Sequence, residues 1–395
     1  MPRIKKEPKS PVCQTVANMP PSGIRKFFDL VSTMKNVISL GVGEPDYVTP
    51  WHIREAGIYS LEKGYTMYTS NSGTMELREE IARYLANRYQ VKYEPSSEIL
   101  ITTGVSEGLD LAMRAILNPG DEVIMSDPCY VSYSACVRLS YGVPVQVPVK
   151  VENNFELRAE DIARYITPKT RAILIGYPAN PTGAMISRQK LLQIANLVKK
   201  HNLLVITDEI YARLVYGTEE LCFAALPGMR DNTILLAGFS KAYAMTGWRL
   251  GYACGNPEII GAMTKIHQFT MLCSPITAQK AAVEALRNGD ASVNEMVEDY
   301  NRRRLLMVKG FNNIGLKCFE PKGAFYAFPS IQSTGLTSEE FSERLLKTET
   351  VLVVPGTAFG QHGEGYIRCC YATAMNKIEE ALTRIKRFVE KNTQN

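Results

Sequence analysis

One lysine of this 395-residue chain stands where its amine could do chemistry. In TILLAGFSKAYAMTGWRLGY, which starts at Thr233, an apolar run leads straight into Ser240 and Lys241. A lysine abutting a buried strand is costly to keep charged, so burial lowers its pKa and favours the neutral amine. A neutral amine is the nucleophile that condenses with carbonyls to Schiff bases. Eight residues on, Arg249 offers a guanidinium able to neutralise a phosphate. A single lysine of this kind more often just leaves its strand for solvent, so the neighbouring segments decide.

Three further apolar runs end in polar or glycine-led turns. LLVITDEIY runs into Asp208, RAILIGYPANPTG into Asn180–Pro181–Thr182–Gly183, and EILITTGVSEGL into Gly104 and the start of a helix. Singly, Asp208 reads as a helix cap, Asn180 as part of a turn, and 104–106 as a tight strand-to-helix connection. Together they place four ligand-like termini on one sheet, and open α/β sheets collect ligands at the carboxyl ends of their strands. A helix start at Gly104, Val105 and Ser106 offers free N–H groups to a phosphate, with Arg249 and the Ser240 hydroxyl beside it. Asp208 would keep a pyridine nitrogen protonated and so make the ring an electron sink. Asn180 and Tyr211 would hydrogen-bond a ring hydroxyl, and Tyr130 of DPCYVSY would stack on the ring face. Pyridoxal 5'-phosphate carries every one of those groups.

The elements that must position these residues are legible in outline. Strands are expected at 99–102, 122–125, 144–147, 172–175, 203–207, 233–237 and 250–253, with amphipathic helices between several of them, as at 188–201. That alternation predicts an α/β fold whose central sheet is mostly parallel and covered by helices on both faces. The pattern then changes to one long helix over 294–314, short strands at 325–328, 351–354 and 366–371, and a closing helix over 377–391. A smaller α+β domain is therefore expected at the C-terminus.

Composition narrows the function classes. Charge is mild, 45 basic against 40 acidic residues, and the one basic cluster (Arg3, Lys5, Lys6) reads as a solvated tail, so no nucleic-acid partner is expected. Nine cysteines, an odd number without a C-x-x-C pair, lie mostly in apolar runs and read as small buried hydrophobes. None of the four histidines is spaced with cysteines or acids as a metal ligand, so no metal is expected. No apolar stretch suits a signal peptide or a membrane span, and a cytoplasmic location is the default expectation.

The chain resembles the class I/II pyridoxal-phosphate-dependent aminotransferases of fold type I, and within them the aspartate, aromatic and N-acetyl-diaminopimelate branch. SGIRKF, SLGVGEPDYVTP, YTSNSGTMELRE, ITTGVSEGL, PANPTG, DEIY, GFSKAYAMTGWRLGY, PKGAFY, VPGTAFG and YIRCCYAT carry the resemblance over nearly the whole chain. It implies Lys241 as Schiff-base lysine and proton shuttle, Asp208 as partner of the pyridinium, and Asn180 and Tyr211 on the ring oxygen. It places Gly104, Val105, Ser106, Ser240 and Arg249 on the phosphate. Arg368 would take the substrate α-carboxylate through a bidentate fork, helped by Asn180 and the backbone near Gly43. Tyr68 would reach the phosphate of a neighbouring subunit, which implies a homodimer with shared sites. The resemblance also implies a large cofactor-binding domain over 47–285 and a small domain built from 1–46 and 286–395.

Two departures stand out. Gly238 occupies a position, three before the lysine, where many relatives carry a hydroxyl, and Ser106 one where some aspartate-preferring relatives carry a lysine. No second fixed cation is recognisable for a distal carboxylate, whereas Phe27, Tyr65 and Tyr130 are expected at the mouth. The expected reaction moves an amino group from an aromatic, aspartate or similar L-amino acid to a 2-oxo acid, with 2-oxoglutarate as the expected acceptor. A β-lyase on the same scaffold is the alternative. A transcription regulator is remote, because little chain precedes SLGVGEP to form a DNA-binding domain.

Overall fold

A computed structural model describes residues 11–20, 23 and 34–393, and in it the apolar runs of the sequence form one seven-stranded sheet. Along the chain come α1 (Gln14–Ala17), β1 (Ile38–Ser39), α2 (Trp51–Glu62), α3 (Met75–Tyr89), β2 (Ile99–Thr102), α4 (Val105–Ile116), β3 (Glu122–Asp127), α5 (Ser132–Leu139) and β4 (Val143–Pro148). There follow α6 (Ala159–Ala163), β5 (Thr170–Ile175), α7 (Arg188–His201), β6 (Leu204–Asp208), β7 (Thr233–Gly238), β8 (Gly251–Cys254), α8 (Pro257–Thr270), α9 (Ile276–Asn288) and α10 (Asp290–Ile314). The last elements are β9 (Tyr326–Ala327), α11 (Ser338–Glu349), β10 (Val351–Leu352), β11 (Val354–Pro355), β12 (Ile367–Cys370) and α12 (Met375–Asn392).

The large sheet has the order β2-β8-β7-β6-β5-β3-β4, and only β8 runs against its neighbours. Both faces are covered, which is why its strands read as continuous apolar runs and do not alternate. Leu100, Leu174 and Ile206 pack with Leu109 and Met113 of α4 and Met263 of α8. Their neighbours turn to the other face, where Ile173 and Val205 meet Leu191 and Ile194 of α7, and Ile101 meets Leu77 and Ile81 of α3.

A separate core forms where Met307 and Phe311 of α10 meet Phe341 of α11, Ile367 of β12 and Ile385 of α12. Ile38 and Leu40 join this core, and β1 pairs in parallel with β10. The strand expected over 351–354 is divided: Val351 and Leu352 pair with β1, whereas Val354 and Pro355 pair with β12. The long helix begins at Asp290, four residues earlier than its apolar periodicity suggested, because Gly289 separates it from α9. Among the described residues no helix is long and apolar enough to cross a membrane.

Candidate active site

The carboxyl ends of β5, β6 and β7 and the opening of α4 surround a cavity of about 520 Å³. That is the size of a small-molecule site. Lys241 enters it from the turn after β7. Thr49 anchors that turn by donating to the Ala244 carbonyl at 2.6 Å while accepting from the Trp248 indole at 3.0 Å. The Lys241 amine donates to the Gly43 carbonyl at 2.7 Å, and burial pushes its pKa down to about 8. The lowering has the physical cause that the apolar approach implied, which is burial.

Asp208 ends β6 with its side chain in the cavity wall. Burial raises its pKa, and hydrogen bonds from Tyr133 (2.9 Å) and the Ile210 backbone (3.2 Å) work against that rise. Asn180 stands in a turn locked by Lys322 and Gly323, whose backbone N–H groups donate to the Gly183 carbonyl at 2.8 and 3.0 Å. Gly183 has φ +70°, and a Cβ there would lie 2.3 Å from Pro321, so PANPTG and PKGAFY close on each other through a position only glycine fits.

The opening of α4 is built to receive an anion. Its N-cap, Gly104, has φ +81° and supplies no side-chain cap, whereas Thr74, Ser187 and Thr337 cap α3, α7 and α11. Val105 and Ser106 line the cavity with their N–H groups unspent on a cap. Arg249 presses on this turn, since a Cβ on Gly104 would lie 2.6 Å from its Nη2. Gly238 has a packing reason: a Cβ there would meet Gly251 Cα and the Leu250 carbonyl at 3.0 Å, and Val105 at 3.2 Å. A hydroxyl residue at 238 would have to push apart β7, β8 and the turn that opens α4.

Arg368, on β12, is buried. Its Nη1 donates to Asn180 Oδ1 at 3.0 Å and its Nη2 to the Gly41 carbonyl at 2.6 Å. Its guanidinium lies over the rings of Tyr326 (4.5 Å) and Phe359 (4.8 Å). Nε is buried without a partner, and among the described residues no carboxylate forms an ion pair with this cation. Arg303 and Arg304, likewise buried, each meet acids. A buried cation left without its counter-charge in a cavity wall is a site for an anionic ligand.

Gly43, Val105, Ser106, Tyr130, Asn180, Asp208, Tyr211, Ser240, Lys241, Arg249 and Arg368 all line this one cavity. Gly104 supports it from behind Arg249. Tyr68 does not line it; its side chain is 80% exposed. Tyr65 does not line it either and lies under the Lys280 ammonium at 4.7 Å, which corrects its expected place at the mouth. Phe27 lies outside the described residues. Sequence reasoning missed Tyr133, Tyr326, Thr246 and Glu44, which also line the cavity. The Tyr326 and Tyr211 hydroxyls are 2.7 Å apart. The available signals were Tyr133 one helical turn after Tyr130, and Tyr326 closing PKGAFY.

The family model for aminotransferase class I and II matches residues 35–385. The chain belongs to this family. It is 54% identical to a putative aminotransferase, YugH, of Bacillus subtilis, over 96% of this chain and 98% of that one. It is 43% identical to aromatic-amino-acid aminotransferase 2 of Thermococcus litoralis, over 94% and 96% of the two chains. The solved aspartate aminotransferase of Thermus thermophilus with maleate superposes with a TM-score of 0.91 at 36% identity, covering 95% of this chain and 99% of that one. The protein is thus an aminotransferase of fold type I, and enzymes of this family depend on pyridoxal phosphate. The cavity fits that cofactor: an uncapped helix start with a guanidinium beside it, a buried carboxylate, a lysine amine whose pKa burial lowers and a tyrosine ring share one wall.

Proposed function

We propose that this aminotransferase moves the amino group of an aromatic, aspartate or similar L-amino acid to a 2-oxo acid, with 2-oxoglutarate the expected acceptor. The observation that carries the reading is Arg368, a buried cation with no acidic partner among the described residues that shares its cavity with the Lys241 amine. A substrate α-carboxylate would complete the Arg368 fork and be steadied by Asn180, as bidentate guanidinium–carboxylate pairs are. In this reading Lys241 holds the cofactor as a Schiff base, Asp208 pairs with its ring nitrogen, and Asn180 and Tyr211 take its ring oxygen. Gly104, Val105, Ser106, Ser240 and Arg249 take its phosphate, and Tyr130 covers its face. When bound, the cofactor supplies an electron sink for the bond broken at the substrate Cα. Lys241, whose amine pKa burial lowers to about 8, carries the proton at that carbon.

A homodimer with shared sites belongs to the same proposal. It is supported by an apolar surface that α2 and the following loop leave open, with Trp51, Ile58, Leu61, Met67 and Tyr68 each about half exposed or more. Asn71 ties that loop to the Leu272 carbonyl at 2.7 Å, next to Phe269, which is 81% exposed. The division into 47–285 against 1–46 with 286–395 is likewise proposed, supported by the β1–β10 pairing.

The reading of substrate breadth rests on two of the relatives, one acting on aromatic amino acids and one on aspartate by their names. Borohydride treatment of the purified enzyme followed by peptide mapping should find the cofactor on Lys241; label on another lysine refutes that role. Steady-state kinetics with phenylalanine, tyrosine, aspartate, alanine and N-acetyl-diaminopimelate against 2-oxoglutarate should show several donors accepted. A preference of about a thousandfold for one non-aromatic donor would overturn the breadth, since apolar pocket contacts discriminate by only about 1–3 kcal/mol per methylene. Pyruvate released without any 2-oxo acid acceptor would mark a β-lyase.

A further inference from the structure

Among the described residues Asp208 receives two hydrogen bonds, and one comes from a side chain: Tyr133 Oη to Oδ2 at 2.9 Å. Tyr133 lies on α5, far in sequence from β6, and nothing in the motifs that carry the family resemblance required it to meet this acid. The contact is built from three sides. Tyr133 is buried, and Tyr130 packs edge-on against its ring with centroids 5.5 Å apart. On the remaining side Gly176, directly after β5, makes room for the hydroxyl, because a Cβ there would lie 2.1 Å from Tyr133 Oη. Any side chain at 176 would drive the phenol off Asp208.

A buried carboxylate stays ionised only if donors replace the water it has lost. For Asp208, the Tyr133 hydroxyl is the largest influence opposing the rise that burial causes. We propose that Tyr133 is a positioning residue for the cofactor's ring: by donating to Asp208 Oδ2 it holds that carboxylate charged and aimed at the ring nitrogen. In this role the phenol acts through Asp208. The inference rests on the reading of Asp208 as the ring-nitrogen partner, and its test separates the two.

The test measures equilibrium binding of two ligands to the apoprotein by calorimetry. Pyridoxamine phosphate has the ring nitrogen but no aldehyde, so Lys241 cannot bond to it. Its deaza analogue has a C–H in place of that nitrogen and offers Asp208 nothing to pair with. Tyr133→Phe removes one oxygen atom and should leave the fold intact, which an unchanged melting temperature verifies. It should weaken pyridoxamine phosphate by about tenfold or more, the scale of a hydrogen bond to a charged group, and leave the deaza analogue within about twofold. Equal weakening of both ligands would make Tyr133 a packing residue only, and no weakening of either would make its hydrogen bond to Asp208 idle; each result overturns the proposal. Asp208→Asn, run in parallel, should show the same selectivity with a larger loss. If Asp208→Asn fails to discriminate the two ligands, the Asp208 reading is what falls, and the Tyr133 proposal falls with it.

Discussion

Replacing Arg368 by lysine keeps a positive charge in the cavity wall but destroys its shape. The guanidinium donates two hydrogen bonds at once, Nη1 to Asn180 Oδ1 at 3.0 Å and Nη2 to the Gly41 carbonyl at 2.6 Å, and it lies over two aromatic rings. An ammonium is a compact point charge on a shorter side chain; it cannot reach both oxygens and also present a flat edge to a carboxylate. The loss is one charge-assisted hydrogen bond, about 1.5–3 kcal/mol, plus about 0.5–1 kcal/mol of ring contact. Together these amount to about 2–4 kcal/mol, or about 30- to 700-fold in kcat/KM. Every amino donor has an α-carboxylate, so the loss should be similar for all of them. Cofactor affinity should stay within about threefold, because Arg249 and the opening of α4 face the phosphate independently of Arg368. Kinetics with three or more donors, set beside titration of the apoprotein with pyridoxal phosphate, provides the comparison. Weakened cofactor binding with donor kinetics intact would refute the reasoning and leave Arg368 as a structural cation.

Because burial lowers the Lys241 pKa to about 8, its neutral fraction rises as pH approaches 8 from below and saturates above it. Capture of pyridoxal phosphate by the apoprotein, followed by absorbance, should therefore speed up about tenfold per pH unit below 8 and level off above it; a rate still climbing past pH 10 would show an unperturbed lysine. Tyr68 is exposed in the single chain, so mixing Lys241→Ala with Tyr68→Phe subunits should rebuild wild-type sites in the heterodimer and restore activity. No rescue after verified subunit exchange would count against a site shared between subunits.

Much of the site was legible in the sequence because its groups sit at strand ends. Burial on both faces leaves each strand of the large sheet as a continuous apolar run, and the first polar residue after such a run marks the carboxyl edge. Lys241, Asp208 and Asn180 were singled out in that way, and the helix expected over 188–201 from its amphipathic pattern keeps those bounds in the fold, where Ser187 caps it and Asn202 closes it in the left-handed conformation. Arg368 was placed by resemblance, since a four-residue strand gives no reason for its arginine.

The rest required the tertiary structure. Tyr133 went unnoticed beside Tyr130 in DPCYVSY, because its link to Asp208 spans 75 residues and exists only once α5 packs against the large sheet. The glycines at 176, 183 and 238 carry no local mark of what they do; each yields space to a partner that folding brings from elsewhere. Periodicity likewise could not divide the strand at 351–354, whose halves pair with different strands distant in the chain. Sequence by itself determined which groups stand at the strand ends, because burial of the strands is written in their composition. Only the tertiary structure decided which of those groups touch, because hydrogen bonds and close packing depend on distances between segments that the order of residues does not record.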